Sequence, residues 1–169
     1  IADWYGITAE LPPAVRGVLE AGAAGDIPET PKPGDPLFKG VHNVVIGSNR
    51  QALLAAAGKA RELGYNTTAL TSRLSGEARE VGKLFPAVAR DLLEGELLLP
   101  RPACVLAGGE TTVTLARDPG KGGRNQEMVV SVLREMSDSP ESYPSVSFAS
   151  LGTDGNDGPT DSAGGWINP

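Results

Sequence analysis

The stretch VHNVVIGSNRQALLAAAGKARELGYNTTALT, residues 41–71, has the pattern of a β–α–β unit. Val41–Gly47 is a β-branched run that predicts a buried strand, and Asn66–Thr71 predicts the next strand. The helix between them ends at Gly64 and presents four apolar side chains on one face: Leu53, Leu54, Ala57 and Ala60. Strands joined by a helix pair in parallel through a right-handed crossover, so the fold class is α/β.

The segments before and after this unit extend the α/β pattern. Pro12-Pro13 predicts the start of a helix that Gly22 and Gly25 end. Residues 26–40 are rich in proline and predict either a flexible linker or a strap over a domain surface. After the unit, residues 76–94 predict a second helix, which Pro86 should kink or split.

The last third of the chain predicts a hairpin, a helix and a strand. Ala103–Ala107 and Thr111–Ala116 are strand-like runs separated by two glycines and a glutamate, which is typical of a hairpin. Asn125 predicts the cap of a helix whose apolar stripe consists of Met128, Val129, Val132, Leu133 and Met136. Val146–Leu151 predicts a further strand.

Composition excludes several classes of function. The formal net charge is -6 and there is no basic stripe, so a nucleic-acid surface is not expected. No apolar run approaches the roughly 20 residues of a membrane span, and no secretory signal is visible, which favours a cytoplasmic protein. The one cysteine, Cys104, cannot form an internal disulfide and predicts a buried thiol.

Polar or glycine-rich loops follow the predicted strands, where α/β proteins bind their ligands. Gly47–Arg50 opens a helix, whose N–H groups attract anions; a simple cap by Ser48 within a capping box with Gln51 is the alternative. In Lys121–Glu127, two glycines allow close approach of a ligand and Arg124 can clamp a phosphate or carboxylate. A plain glycine turn before a capped helix is the alternative there.

The loop Gly152–Asp161 contains three aspartates, which repel one another unless a cation or N–H donors compensate them. It suits Mg²⁺, which prefers one or two carboxylates plus phosphate and water, but it lacks the EF-hand pattern. The alternative is Asx-turn chemistry, in which the side chains bond their own backbone. Glu110, beside Gly108-Gly109 and Thr111, is a further candidate for the same cleft.

Three of these segments resemble the MOFRL domain of class II glycerate kinases, proteins also labelled putative hydroxypyruvate reductase. They are AGGETTVT (107–114), GKGGRNQE (120–127) and GTDGNDGPTD (152–161), in that order. Gly47–Leu53 resembles the last β–α unit of that family's first domain. The resemblance implies the end of a Rossmann-like domain in residues 1–99 and the start of a second α/β (MOFRL) domain in residues 100–169.

The resemblance also implies a reaction, the transfer of the ATP γ-phosphoryl group to the 2-hydroxyl of D-glycerate with Mg²⁺. Arg124 would stabilise the transferring phosphoryl or hold the glycerate carboxylate, and Asp154 and Asp157 would bind Mg²⁺ or position the hydroxyl. The remaining residues expected to bind substrate or nucleotide are Ser48, Asn49, Gly108, Gly109, Glu110, Thr111, Lys121, Gly122, Gly123, Asn125, Gln126 and Thr153.

Two other functions fit parts of the sequence. A nicotinamide-dependent hydroxypyruvate reductase needs a Gly-x-Gly-x-x-Gly turn, and Gly120–Gly123 has the wrong spacing for one. A non-catalytic ligand-binding module is the second, although the aspartate-rich loop argues weakly against it. The resemblance also places the chain in the middle of a longer protein, so we expect cut edges that pair with another copy.

A fragment that lacks part of its site should fold without completing the reaction, because misplacing catalytic groups by even ~1 Å can cost about a hundredfold in rate. We expect no normal turnover when the 169-residue chain is assayed with ATP and D-glycerate. Normal turnover in that assay would refute this expectation.

Overall fold

A computed structural model describes residues 1–95 and 97–168. The chain divides into two compact units, residues 1–44 and 45–169. No helix in the described residues is long and apolar enough to cross a membrane.

The first unit contains one α-helix, α1 (Pro13–Ala24), and two short 3-10 turns, Thr8–Glu10 and Pro36–Phe38. Pro13 occupies the first helical position, as predicted, because its fixed φ suits a helix start. The helix ends at Gly25, which adopts φ 84°, and not at Gly22. None of the residues in this unit is buried, so it has no hydrophobic core of its own.

The second unit has four helices and four strands in its described residues. In chain order they are α2 (Asn49–Glu62), β1 (Asn66–Leu74), α3 (Ala78–Gly82), α4 (Leu84–Glu94), β2 (Ala103–Gly109), α5 (Arg124–Ser137), β3 (Phe148–Leu151) and β4 (Gly164–Ile167). The mixture confirms the α/β class. A 3-10 turn, Pro140–Ser142, follows α5.

β1 and β2 form a parallel sheet in which Asn66 is opposite Ala103 and Ala69 is opposite Leu106. Helix α2 packs against both strands and buries Leu53 and Ala57 of its predicted apolar face. β1 and β2 lie on opposite sides of the predicted domain boundary between residues 99 and 100, and they pair with each other. That boundary stays a prediction from sequence.

The predicted strand Val41–Gly47 is wrong for this structure. These residues make no strand among the described residues, and the side chains of Val44, Val45 and Ile46 are 77%, 75% and 95% exposed. A strand needs a neighbour that exchanges backbone hydrogen bonds with it, and no described strand lies beside this run. The β–α–β unit predicted over residues 41–71 therefore has its helix and second strand but not its first.

The predicted hairpin is also wrong, since residues 103–116 do not turn back on themselves. The chain runs on from β2 beside the segment that follows β1: the Glu110 N–H donates to the Leu74 carbonyl at 2.8 Å, and Thr112 forms a parallel bridge with Glu77. A side chain at Gly109 would overlap the backbone of Leu74. The glycine therefore permits close strand packing where the sequence pattern had indicated a turn.

Pro86 splits the predicted 76–94 helix into α3 and α4, as expected. Proline has no N–H, and its ring clashes with the carbonyl four residues earlier, which here belongs to Gly82, the last residue of α3. Gly82 in turn lets α3 lie close against α5, because a methyl group there would be 2.9 Å from Ser131 Cβ and 3.0 Å from the Met128 carbonyl oxygen.

Helix α5 forms the centre of the part of the second unit that contains α3, α4, β3 and β4. Its predicted stripe is buried at Met128, Val129 and Val132, and it packs against α3, β3 and β4. Strands β3 and β4 are antiparallel, with Phe148 opposite Ile167. β4 was not predicted, because only four residues, two of them glycine, form it.

Two glycine substitutions in helices should have opposite effects on stability. Gly82→Ala should destabilise the chain by about 1–3 kcal/mol, because the added methyl meets Ser131 and the Met128 backbone. Gly58→Ala in α2, where nothing lies within 4 Å of the new methyl, should stabilise it by about 0.5–1 kcal/mol. Urea unfolding of the full chain measures both, and equal changes would contradict the close α3–α5 packing.

Candidate functional site

A cavity of about 910 Å³ lies between the segment that follows β2, the glycine-rich loop and the start of α5. This volume is in the range of small-molecule sites. The predicted site residues that line it are Glu110, Thr111, Lys121, Gly122, Gly123, Arg124 and Gln126. The loop Gly152–Asp161 contributes Gly158 and Pro159 to the same cavity, so two of the three predicted motif loops meet the segment after β2 there.

Arg124 is the first residue of α5, and its guanidinium lies 3.0 Å from Glu110 Oε1. The two side chains are 46% and 74% exposed, so the ion pair contributes at most about 1 kcal/mol. A doubly charged phosphate would attract the guanidinium more strongly than one solvated carboxylate does. Glu110 therefore orients Arg124, and an anionic ligand can replace Glu110 as the partner of the guanidinium.

Asp157 occupies the N-terminus of α5. One carboxylate oxygen, Oδ1, accepts from the Asn125 N–H at 3.0 Å, and the other, Oδ2, accepts from the Gln126 N–H at 2.8 Å. The side-chain amides of Asn125 and Gln126 donate to the same two oxygens at 3.0 and 3.1 Å. The residue is 2% exposed. This carboxylate satisfies N–H groups that an open helix N-terminus would offer to a bound anion.

Burial raises the pKa of Asp157, but the N–H donors of Asn125 and Gln126 outweigh it and hold the pKa below its ordinary value of 3.8. The carboxylate is thus ionised at neutral pH and compensated by hydrogen bonds. At Asp157, N–H donors supply the compensation expected for the aspartate-rich loop.

Asn125 is not the cap that the sequence predicted. The helix begins at Arg124 with Gly123 in the N-cap position, two residues earlier than a cap at Asn125 implies, and Asn125 lies in the first turn. Its side chain bridges Asp157 and the Ser150 hydroxyl, which donates to Asn125 Oδ1 at 2.7 Å. Glycine has no side chain with which to cap a helix, so the cap comes from a distant residue.

Two glycines make this arrangement possible. A side chain at Gly123 would overlap the carboxylate and backbone of Asp157, and one at Gly158 would overlap the carbonyl of Gly122. The two loops therefore touch backbone to backbone beneath the cavity. Gly158 also adopts φ 60°, which favours glycine.

Asp154 is exposed and lies outside the cavity lining. Its Oδ1 accepts from the Asn156 N–H at 3.3 Å, which is the Asx-turn alternative considered above. No group of three or more His, Cys, Asp or Glu side chains in the described part of the chain could hold a metal ion. Asp154 and the already hydrogen-bonded Asp157 therefore do not fit a preformed Mg²⁺ site.

Asn49 lies at the carboxyl ends of β1 and β2, and neither Asn49 nor Ser48 lines the cavity. Ser48 Oγ accepts from the Gln51 N–H at 3.2 Å and caps α2, as the capping-box pattern predicts. The Asn49 amide donates to the Ser72 carbonyl at 2.7 Å, and its side chain lies where a Cβ of Gly108 would be. The other predicted residues outside the lining are Gly108, Gly109, Asn125, Thr153 and Asp157.

Residues 113–116 form a wall of the cavity that was not predicted, because their sequence pattern indicates a hairpin strand. Glu77 fixes this wall: its carboxylate accepts from the Thr114 N–H at 2.7 Å and from the Thr114 hydroxyl at 3.1 Å. The Thr114 N–H is the largest influence that lowers the pKa of Glu77. The sequence signal that could have indicated this role of Glu77 is a charged residue that follows a glycine shortly after a strand.

Asp157 should make stability depend on pH at the acid end. Because its folded pKa is depressed, its contribution is present above pH 3.8 and is lost as the pH falls through the lower folded value. Asp157→Asn should cost about 1–3 kcal/mol at pH 7 and flatten the acid decline of the free energy of unfolding. Asp161→Asn, an exposed position of the same loop, is the control; an equal effect there would contradict the cap.

A family model that matches the chain covers the same motifs. The MOFRL family model matches residues 103–169. The glycerate 2-kinase of Pyrococcus horikoshii is 36% identical over 168 residues, which cover 99% of this chain and 36% of that protein. The chain thus spans roughly a third of the length of the curated relatives it matches.

Two solved structures are similar to the chain. A protein from Pyrococcus horikoshii superposes with a TM-score of 0.67 at 36% identity and covers 99% of this chain and 36% of its own. A glycerate kinase from Thermotoga maritima superposes with a TM-score of 0.69 at 36% identity. The superposition covers 76% of this chain and 30% of that protein. Residues 103–169 therefore match the MOFRL family, and the chain as a whole is homologous to part of a glycerate 2-kinase.

Proposed function

We propose that this chain contributes one side of the active site of a glycerate 2-kinase, which transfers the γ-phosphoryl group of ATP to the 2-hydroxyl of D-glycerate. The observation that carries the proposal is the position of Arg124, at the start of α5 in the wall of the cavity and oriented by Glu110. The similarity to glycerate kinases over nearly the whole chain supports the choice of substrate.

Phosphoryl transfer spreads negative charge over the transferring group, and catalysis depends on positioning and on neutralising that charge. Arg124 can leave its weak pair with Glu110 and present two parallel N–H groups to phosphate or carboxylate oxygens. Lys121 lines the same cavity and adds a second cation. In a chain of net charge -6, these two side chains provide the local positive charge that an anionic ligand needs.

The glycine-rich loop forms the part of the wall nearest to Arg124. Gly120, Gly122 and Gly123 have no side chains that would keep a ligand from the main chain. Phosphates bound at such loops are held by main-chain N–H groups. The N–H groups of Asn125 and Gln126 are already bonded to Asp157, so the loop before α5 is the proposed phosphate contact and the first turn of the helix is not.

The size of the cavity favours a nucleotide over glycerate alone as its occupant. At about 910 Å³ it is much larger than a three-carbon acid requires. Its wall also includes apolar side chains of Val113, Leu115 and Val130, which a nucleoside could contact while its phosphates lie near Arg124. Glycerate then binds next to the γ-phosphoryl group of that nucleotide.

The proposal predicts a large effect of Arg124→Ala in a full-length protein that carries this sequence. We expect kcat/KM for D-glycerate phosphorylation to fall about a hundredfold or more, because a donor aimed at developing charge is removed. Arg134→Ala, an exposed arginine on the same helix, should change it by less than about twofold. An ATP-coupled assay measures both, and comparable activity in the two variants would contradict the role of Arg124.

A further inference from the structure

The backbone on both sides of Arg124 is held by a single carboxylate. Before Arg124, the Gly123 backbone lies so close to Asp157 that any side chain at Gly123 would overlap it. After Arg124, the Asn125 and Gln126 N–H groups donate to the two Asp157 oxygens at 3.0 and 2.8 Å. The Arg124 main chain therefore cannot move without breaking contacts to Asp157.

The carboxylate is itself fixed by its surroundings. The Thr160 hydroxyl donates to the Asp157 carbonyl at 2.7 Å and accepts from the Gln126 side chain at 3.0 Å. On the other side, Asn125 joins Asp157 to Ser150 of β3. Fully satisfied buried networks of this kind are rigid, because any rotation leaves a buried group unpaired.

A helix can be capped by a side chain at its own N-cap position, which would leave Arg124 independent of the aspartate-rich loop. Here the N-cap is Gly123, and the cap comes from a loop whose Gly158 and Pro159 line the cavity that Arg124 faces. The cap by Asp157 thus sets the distance between Arg124 and the part of the cavity wall formed by Gly158 and Pro159. Within residues 1–95 and 97–168, the one ion-pair partner of the Arg124 guanidinium is the exposed Glu110.

We propose that Asp157 is a positioning residue for Arg124: it does not touch substrate or metal, and it acts by fixing the main chain from which the guanidinium extends. This inference rests on the proposed function for its effect on catalysis. The position of the guanidinium relative to an anion can be tested independently of the reaction.

The test is a double-mutant cycle in a full-length protein that carries this sequence, with Asp157→Asn, Arg124→Ala and both together. Asparagine keeps the shape of the side chain but presents an NH₂ group to one set of donors. Asp157→Asn should lower kcat/KM about tenfold to a hundredfold when Arg124 is present. In the Arg124→Ala background it should change kcat/KM by less than about twofold.

Binding of inorganic tripolyphosphate, measured by calorimetry, gives a second readout that needs no turnover. Asp157→Asn should weaken it about tenfold with Arg124 present and less than about twofold without it. A partly unfolded population would weaken the apparent affinity by the same factor with and without Arg124, so a purely structural cap would not produce this pattern. Asp161→Asn, the exposed control in the same loop, should leave binding and kcat/KM unchanged.

Equal losses in both Arg124 backgrounds would overturn the inference. If Asp157→Asn does not fold, Asn125→Ala replaces it in the same cycle, because this variant removes the side-chain links to Asp157 and Ser150 and keeps the backbone N–H donor. If the wild-type protein binds tripolyphosphate through this coupling but does not phosphorylate D-glycerate, the proposed function fails and the positioning role stands.

Discussion

The hydrogen bonds between the Asp157 carboxylate and the first turn of α5 are the interaction on which the candidate site depends. The helix N-terminus has N–H groups without partners within the helix, and a buried carboxylate needs donors, so each satisfies the other. The contact joins the central helix to the loop between β3 and β4. It also places an arginine at the edge of a cavity, because Arg124 lies between the two backbone segments that Asp157 holds.

Glycines decide where the backbone segments meet. Gly123 and Gly158 bring two loops into backbone contact beneath the cavity, Gly109 brings β2 against the residue that ends β1, and Gly82 brings α3 against α5. A single methyl group would overlap a neighbour at Gly109, Gly123 and Gly158, and at Gly82 it would force Ser131 and the Met128 backbone to shift. Several of these glycines lie within the segments that resemble the MOFRL domain, so part of that motif is explained by packing and only part by the proximity of a ligand.

The site places positive side chains in a chain that is negatively charged overall. The chain carries a net charge of -6, yet the cavity brings Lys121 and Arg124 together on one wall. The acids around them are not equivalent. Glu110 is exposed and can release its arginine, whereas Asp157 is buried, ionised and committed to the helix. A loop with three aspartates therefore does not require a cation, since one is capped by N–H donors and another closes an Asx turn.

The amino-acid sequence by itself determined the local features of this protein. Pro13, Gly25 and Pro86 fixed helix ends through φ and missing N–H groups, and the apolar stripes of α2 and α5 showed which faces are buried, because these effects act within a few residues. Only the tertiary structure decided that Asp157 caps α5, that residues 103–116 continue beside β1, and that Val41–Gly47 forms no strand. Those outcomes depend on which distant segment supplies the hydrogen-bond partner, and the same local pattern is compatible with several partners.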